Sequence, residues 1–138
     1  MQSRHPDPPV ILIAERDPNI CELQTFFLEK AGFAVEFVGD GETAFERARL
    51  TLPALVITEI LIPKVDGLAL CRRLRDDPLT QRIPVVVFSI LGAEGRASEA
   101  GAKAFLRKPL VGSTFVSAIQ QLVAAQPIDA LEAQWTSN

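Results

Sequence analysis

Residues 10–38 read VILIAERDPNICELQTFFLEKAGFAVEFV and contain two predicted strands on either side of one helix. The first apolar run, residues 10–14, is uninterrupted, as expected of a strand that is buried on both faces. Asp17 before Pro18 predicts a helix N-cap followed by proline at the first helical position, and Gly32 lies where the helix should end. A second apolar run follows the glycine. This order of strand, helix and strand predicts a parallel βαβ unit with a right-handed crossover.

The same alternation continues through the rest of the chain. Further strands are predicted at 54–58, 84–88 and 103–106, and the segment 92–101 holds at most a short helix. Ser113 is the expected cap of a fifth and final helix. Five strands that alternate with five helices predict a single α/β domain with a flavodoxin-like parallel sheet of order 2-1-3-4-5, in which the fourth helix is short.

In this sheet order the first and fifth helices cover one face, and the second, third and fourth helices cover the other. Cys21 lies on the first helix and Cys71 on the third, so the two thiols are expected on opposite faces, where they cannot form a disulfide. Both are expected to be buried apolar residues. The first helix also carries apolar residues at helical spacing, which are Ile20, Leu23, Phe26, Phe27 and Ala31.

Three segments are expected along the chain. Residues 1–9 are a polar, proline-rich tail, residues 10–125 form the domain, and residues 126–138 form a C-terminal tail. In the last segment Ile128, Leu131 and Trp135 are spaced as on one helical stripe. A disordered tail is the favoured interpretation, and a docking or dimer helix is the alternative that this spacing allows.

The composition excludes several classes of protein. With 14 Lys+Arg against 17 Asp+Glu, the net charge of −3 gives the 138-residue chain no general affinity for nucleic acid or acidic membranes. None of the apolar runs approaches the roughly 18 residues of a membrane span, and the polar start is unlike a signal peptide, so we expect a cytoplasmic protein. Two cysteines and one histidine argue against a disulfide framework or a zinc site.

Strongly polar residues follow four of the predicted strands at their carboxyl ends. Glu15 and Arg16 follow the first strand, Glu59 the third, Ser89 the fourth and Lys108 the fifth. Ligands of open α/β sheets bind outside this edge, so we expect the five residues to share one pocket.

The same residues lie in motifs that resemble those of response-regulator receiver domains of two-component systems. ILIAERDPNI resembles the acidic first loop, PALVITEILIPKVDGLAL the segment around the phosphoacceptor, PVVVFS the fourth strand, and GAKAFLRKPL the fifth. The resemblance covers about residues 10–125 and implies a signalling module that is not an enzyme. In that family an acidic pair and an acceptor aspartate hold Mg²⁺, and the aspartate becomes an acyl phosphate.

The resemblance also assigns roles to single positions. Ser89 matches the hydroxyl and Lys108 the lysine that bind the phosphoryl oxygens, and Phe105 matches the switch aromatic. Leu61 matches the position whose backbone carbonyl would ligate the metal. The Lys108–Pro109 bond matches one that is cis in the family.

Two positions depart from the family pattern. The acceptor position holds Glu59 instead of aspartate, and the acidic pair is Glu15–Arg16, in which a cation replaces the second acid. We hypothesise that the Arg16 guanidinium takes the place of the ion and bridges the carboxylates, so no metal and no cofactor are expected. Glu59 then either imitates the phosphorylated state or is inert. In a working receiver, Mg²⁺ would instead be held by Glu15, Asp17, Glu59 and the Leu61 carbonyl, although Asp17 is also the predicted N-cap.

Three functions stay open at this point. The first is a pseudo-receiver that signals through protein–protein contacts without phosphorylation. The second is a phosphorylatable, Mg²⁺-dependent receiver of a phosphorelay. The third is a small flavodoxin-like enzyme or nucleotide- or flavin-binding protein, which ERDPN after the first strand disfavours because it is not a glycine-rich phosphate loop. The expected partners are proteins (a histidine kinase, a phosphotransfer protein or a separate effector chain), with no nucleic acid or membrane, and the chain is expected to be a monomer or weak homodimer.

Overall fold

The computed structural model describes residues 7–125, in which strands and helices alternate throughout. Each predicted strand is present, with small differences at its ends. The strands are β1 (Val10–Ala14), β2 (Ala34–Val38), β3 (Leu55–Thr58), β4 (Val85–Ser89) and β5 (Ala104–Arg107). The helices are α1 (Pro18–Lys30), α2 (Gly41–Thr51), α3 (Gly67–Asp76), α4 (Glu94–Glu99) and α5 (Gly112–Ala124). The prediction of a short fourth helix is confirmed, since α4 has only 6 residues.

All five strands are parallel, and their order is β2-β1-β3-β4-β5, which confirms the predicted topology. β1 lies between β2 and β3, where Ala14 is opposite Val38 of β2 on one side and Thr58 of β3 on the other. At the other end, Ser89 of β4 is opposite Arg107 of β5. The register therefore aligns the carboxyl ends of all the strands that carry candidate site residues.

Two apolar cores lie on opposite faces of the sheet, because side chains alternate along each strand. Leu12 and Ala14 of β1 point into a core shared with α2, α3 and α4, whereas Ile11 and Ile13 point into a core shared with α1 and α5. The predicted assignment of helices to the two faces is confirmed. Cys71 lies in the first core, and neither it nor Cys21 forms a disulfide.

The structure corrects details of the two helices that share a face. In α1, the predicted stripe residues Leu23 and Phe26 are 45% and 57% exposed, and the fully buried residues are Gln24 and Leu28. The stripe was misplaced because the helix has apolar residues on both its buried and its outer side. Cys21 is only partly buried. The fifth helix begins two residues earlier than a Ser113 cap predicts, at Gly112, and Val111 is at the N-cap position instead.

The two predicted tails lie largely outside the described residues. Residues 1–6 and 126–138 are outside the described range, and Asp7, Pro8 and Pro9 are exposed and belong to no helix or strand. Within residues 7–125, no helix is long and apolar enough to cross a membrane.

Candidate functional site

The candidate pocket lies at the carboxyl edge of the sheet, where strand pairing brings distant residues together. The Glu59 N–H donates to the Ala14 carbonyl at 3.0 Å, which places Glu59 beside Glu15. On the other side of the pocket, the Lys108 N–H donates to the Ser89 carbonyl, also at 3.0 Å. The side chains that follow β1, β3 and β5 therefore converge at one point, with Ser89 at the end of β4 beside them.

The Lys108 side chain joins the two carboxylates. Its Nζ lies 2.9 Å from Glu15 Oε1 and 2.8 Å from Glu59 Oε2. The exposed fractions of the three side chains are 10% for Lys108, 6% for Glu15 and 9% for Glu59. Because water is largely excluded, these charge-assisted hydrogen bonds are stronger than those of a surface ion pair. The cluster holds one positive and two negative charges.

The remaining carboxylate oxygens are also hydrogen bonded within the protein. Glu15 Oε2 accepts the backbone N–H groups of Arg16 at 3.2 Å and Asp17 at 3.1 Å. Glu59 Oε1 accepts the Ile60 N–H at 2.6 Å. Every carboxylate oxygen of the two buried acids thus has a donor supplied by the chain itself.

Burial and pairing act in opposite directions on these ionisable groups. Burial raises the pKa of Glu59, but hydrogen bonds from Lys108, Ser89 and the Ile60 N–H outweigh it and hold the pKa below its ordinary value. Burial lowers the pKa of Lys108, and the hydrogen bonds and charges of Glu59 and Glu15 overcome it, so the net shift is upward. Both groups are therefore kept charged at neutral pH.

The hydroxyl and the aromatic residue that the sequence singled out lie at different distances from the cluster. Ser89 is fully buried, and its Oγ accepts the Leu91 N–H at 3.1 Å while the hydroxyl faces Glu59. Phe105 is only partly buried and packs against the core under α2, α3 and α4. Lys108 Nζ lies over the ring of Phe88, 5.5 Å from its centroid.

The structure contradicts the hypothesis that Arg16 bridges the carboxylates. Arg16 is exposed, and it makes no ion pair with any residue in the range 7–125. Only the backbone of Arg16 contacts the acid, since its N–H donates to Glu15 Oε2 at 3.2 Å. Lys108 makes the contacts that we expected of Arg16.

Asp17, a metal ligand of the alternative interpretation, is engaged at the start of α1. Its Oδ1 accepts the N–H groups of Asn19 at 2.9 Å and Ile20 at 3.4 Å, which confirms it as the N-cap of α1. Leu61 lies in the loop after β3 and is 65% exposed. Among the described residues, no group of three or more His, Cys, Asp or Glu side chains is arranged to hold a metal ion.

A close backbone contact behind the pocket was not recognised from the sequence. Gly67, the first residue of α3, lies against the backbone of Glu59 and Ile60, and a Cβ at position 67 would overlap the Glu59 carbonyl. Glycine at this position therefore lets α3 approach the loop that carries Glu59. The Asp66-Gly67 pair was an available signal, because the Asp66 carboxylate caps α3 by accepting the Ala69 N–H.

Comparison with known proteins identifies the family. Residues 11–120 match the family model of the response regulator receiver domain. The chain belongs to this family. Its match to the response regulator Rre1 of Synechocystis is 32% identical and covers 87% of this chain and 54% of that protein. Its match to the DNA-binding dual master transcriptional regulator RpaA of Synechocystis is 34% identical and covers 83% of this chain and 49% of that protein.

A solved structure supports the same assignment. The signal receiver domain of a signal transduction histidine kinase from Syntrophus aciditrophicus is 35% identical, with a TM-score of 0.79 over 84% of this chain and 90% of that chain. The receiver domain is a signalling module of two-component signal transduction. It spans about half the length of the two curated regulators. The family assignment replaces the nucleotide- or flavin-binding alternative.

Proposed function

We propose that this chain is an atypical receiver that signals through contacts with a protein partner and without phosphoryl transfer. The observation that carries the proposal is the closed cluster formed by Lys108, Glu15 and Glu59. Both carboxylates are paired with the same ammonium, at 2.9 Å and 2.8 Å, and their other oxygens accept backbone N–H groups. Both carboxylate oxygens at the acceptor position are thus held by donors of the chain itself, which disfavours their attack on a phosphodonor.

The residues in the pocket do not fit the Mg²⁺ ion of typical receivers. A hard divalent cation needs several oxygen ligands in near-octahedral geometry. Only Glu15 and Glu59 supply carboxylates here, Asp17 caps α1, and the Lys108 ammonium lies between the two acids. An ion entering this space would have to displace the ammonium or lie beside a like charge.

Glu59 admits two roles within this proposal. Its carboxylate contacts Lys108, as a phosphoryl oxygen would according to the family resemblance, so it could imitate the phosphorylated state. It brings one negative charge, however, where an acyl phosphate brings about two. We infer that Glu59 fixes the pocket in a single arrangement, so that partner binding does not depend on a kinase.

One observation favours the phosphorylatable alternative. Because Arg16 lies outside the pocket, the buried cluster has one more negative than positive charge, and the repulsion that we expected from the guanidinium is absent. A cation could compensate this excess charge. The two functions therefore make opposite predictions for Mg²⁺ and for phosphodonors.

The test is to incubate the chain with a small phosphodonor and Mg²⁺ and to measure its intact mass. We expect no adduct on the parent chain. The double variant Arg16→Asp/Glu59→Asp is the matched control, because it restores the acidic pair and the acceptor while Ser89 and Lys108 stay in place. We expect the double variant to gain a phosphoryl group, since the displaced carboxylate and the missing acid are both corrected.

A Mg²⁺ titration followed by amide NMR shifts provides the second measurement. Saturable shifts confined to Glu15, Asp17 and Glu59 of the parent at low-millimolar metal would support a working receiver. A phosphoryl adduct mapped to Glu59 would overturn the proposal directly. If neither chain gains an adduct, the absence or presence of localised shifts in the parent decides between the two functions.

A further inference from the structure

A groove of about 410 Å³ runs between α1 and α5. The two helices are in close contact at Phe27 of α1 and Gly112 of α5, since a Cβ at position 112 would overlap the Phe27 ring. Val116 and Ala31 continue the apolar lining, and Lys30 is the one charged residue that lines it. The groove is open to solvent. It suits an apolar side chain as occupant, and Lys30 places a positive charge beside that side chain.

An exposed apolar stripe on α1 lies alongside the groove. Leu23 and Phe26 are 45% and 57% exposed, and the exposed Lys30 lies one turn after Phe26 on the same side of the helix. The Phe26 ring packs edge-on against Phe27, with 5.1 Å between centroids, and Lys30 Nζ lies 5.6 Å from the Phe26 ring. Large apolar side chains clustered at a surface in this way mark a site of interaction.

We propose that the segment 126–138 of the same chain folds back onto α5 and places Trp135 in this groove. The segment lies outside the described residues, and it starts directly after Ala125, at the C-terminal end of α5. Its Ile128, Leu131 and Trp135 share one helical stripe. Pro127 cannot continue the hydrogen-bonding of α5, which favours a change of direction at the start of the segment.

The lengths of the two segments match. Val116 lies nine positions before Ala125, and Trp135 lies nine positions after Gln126. At a rise of about 1.5 Å per residue, both distances are roughly 13.5 Å in a helix. An antiparallel return therefore brings the indole to the level of Val116, where the groove is open.

The charges of the segment are also complementary to those of the groove. Residues 126–138 contain Asp129 and Glu132 and no lysine or arginine. Lys30 is the charged residue of the groove, and its ammonium can lie over an aromatic ring or pair with a carboxylate. These relationships favour the chain's own tail over an unrelated partner as the occupant.

Intrinsic fluorescence tests this proposal directly, because the chain has one tryptophan and no tyrosine. We expect the emission of Trp135 in the native 138-residue chain to be blue-shifted from that of the urea-unfolded chain, with acrylamide quenching slowed several-fold. Ser117→Arg places a long charged side chain in the groove and should shift the emission to the red and restore fast quenching. Ser98→Arg is the matched control, since Ser98 is an exposed serine on α4, which packs on the other face of the sheet.

The remaining outcomes separate the competing occupants. Circular dichroism establishes that both variants keep the native helix content. Emission and quenching of a fully solvated indole in the parent chain would overturn the proposal, as would a shielded indole that Ser117→Arg leaves unchanged. A blue shift that disappears on dilution would assign the tail to the groove of a second copy, and so would contradict docking within one chain.

Discussion

The Lys108 ammonium lies 2.8 Å from the Glu59 carboxylate, and both side chains are at most 10% exposed. The same ammonium lies 2.9 Å from Glu15, so two buried acids share one lysine. The cluster therefore keeps one excess negative charge, and both acids depend on Lys108 for their ion pairs. This relationship determines the stability of the pocket and the effect of substitutions in it.

Lys108→Met removes the shared cation and leaves two buried carboxylates facing each other. We expect a loss of about 3 kcal/mol in the free energy of unfolding at neutral pH, because breaking a buried pair leaves uncompensated charge. Urea denaturation measures the loss. Lys103→Met is the control, since Lys103 is exposed, and it should stay within about 0.5 kcal/mol of the parent. Equal losses for the two variants would show that Lys108 contributes no more than a surface lysine.

The depressed pKa of Glu59 predicts how stability changes with acid. Its contribution is fully present above the unfolded-state pKa, about 4.3, and is lost as the pH falls through the lower pKa of the folded state. The difference in unfolding free energy between the parent and Glu59→Gln should therefore shrink on acidification below about pH 4. Urea melts of both proteins across this range measure it. A constant difference would contradict the charged pair.

The raised pKa of Lys108 gives the opposite limit at alkaline pH. Its contribution is present below the unfolded-state pKa of about 10.4 and is lost as the pH rises through the higher pKa of the folded state. The stability advantage of the parent over Lys108→Met should therefore persist through neutral pH and decline only above about pH 10.4. Urea melts at increasing pH test this, and a decline that is complete near neutrality would be inconsistent with it.

Arg16→Ala is expected to change the unfolding free energy by no more than about 0.5 kcal/mol, since the side chain is exposed and has no ion pair among the described residues. Glu15→Gln at the adjacent position is the comparison, because the Glu15 carboxylate is 6% exposed and pairs with Lys108. This substitution should lower the unfolding free energy clearly more than Arg16→Ala does. If Arg16→Ala were the more costly change in urea denaturation, the guanidinium would have a role in the pocket after all.

Gly67→Ala and Gly95→Ala should have opposite effects. A Cβ at position 67 overlaps the Glu59 carbonyl, so the loop must shift, at a cost of about 1–3 kcal/mol. Gly95 lies within α4 and has open space around the added Cβ, so alanine there should stabilise by about 0.5–1 kcal/mol through helix propensity. Thermal melts of the two variants provide the comparison, and a neutral Gly67→Ala would show that the loop after β3 adapts freely.

Much of the fold could be predicted because each element has a local cause in the sequence. Uninterrupted apolar runs gave the strands, Asp17 with Pro18 gave the start of α1, and the short interval before Gly101 gave the reduced α4. Helix faces were harder, since α1 is apolar on two sides. Leu23 and Phe26 fit a helical stripe as well as Leu28 does, and only packing against the sheet selects which side is buried.

The parallel sheet and the set of polar residues at its carboxyl edge follow from local sequence patterns, because strand alternation and chain order can be read from the residues alone. Which cation enters the pocket depends on the packed structure. Arg16 is adjacent to Glu15 in the chain, but its side chain is exposed and only its backbone N–H contacts that acid. Lys108 is 93 residues from Glu15 in the chain. It follows β5, which ends beside β4, and the long lysine side chain reaches both acids along the carboxyl edge of the sheet. Packing determines where a side chain points and how far it reaches across the sheet, and neither can be predicted from the order of residues in the chain.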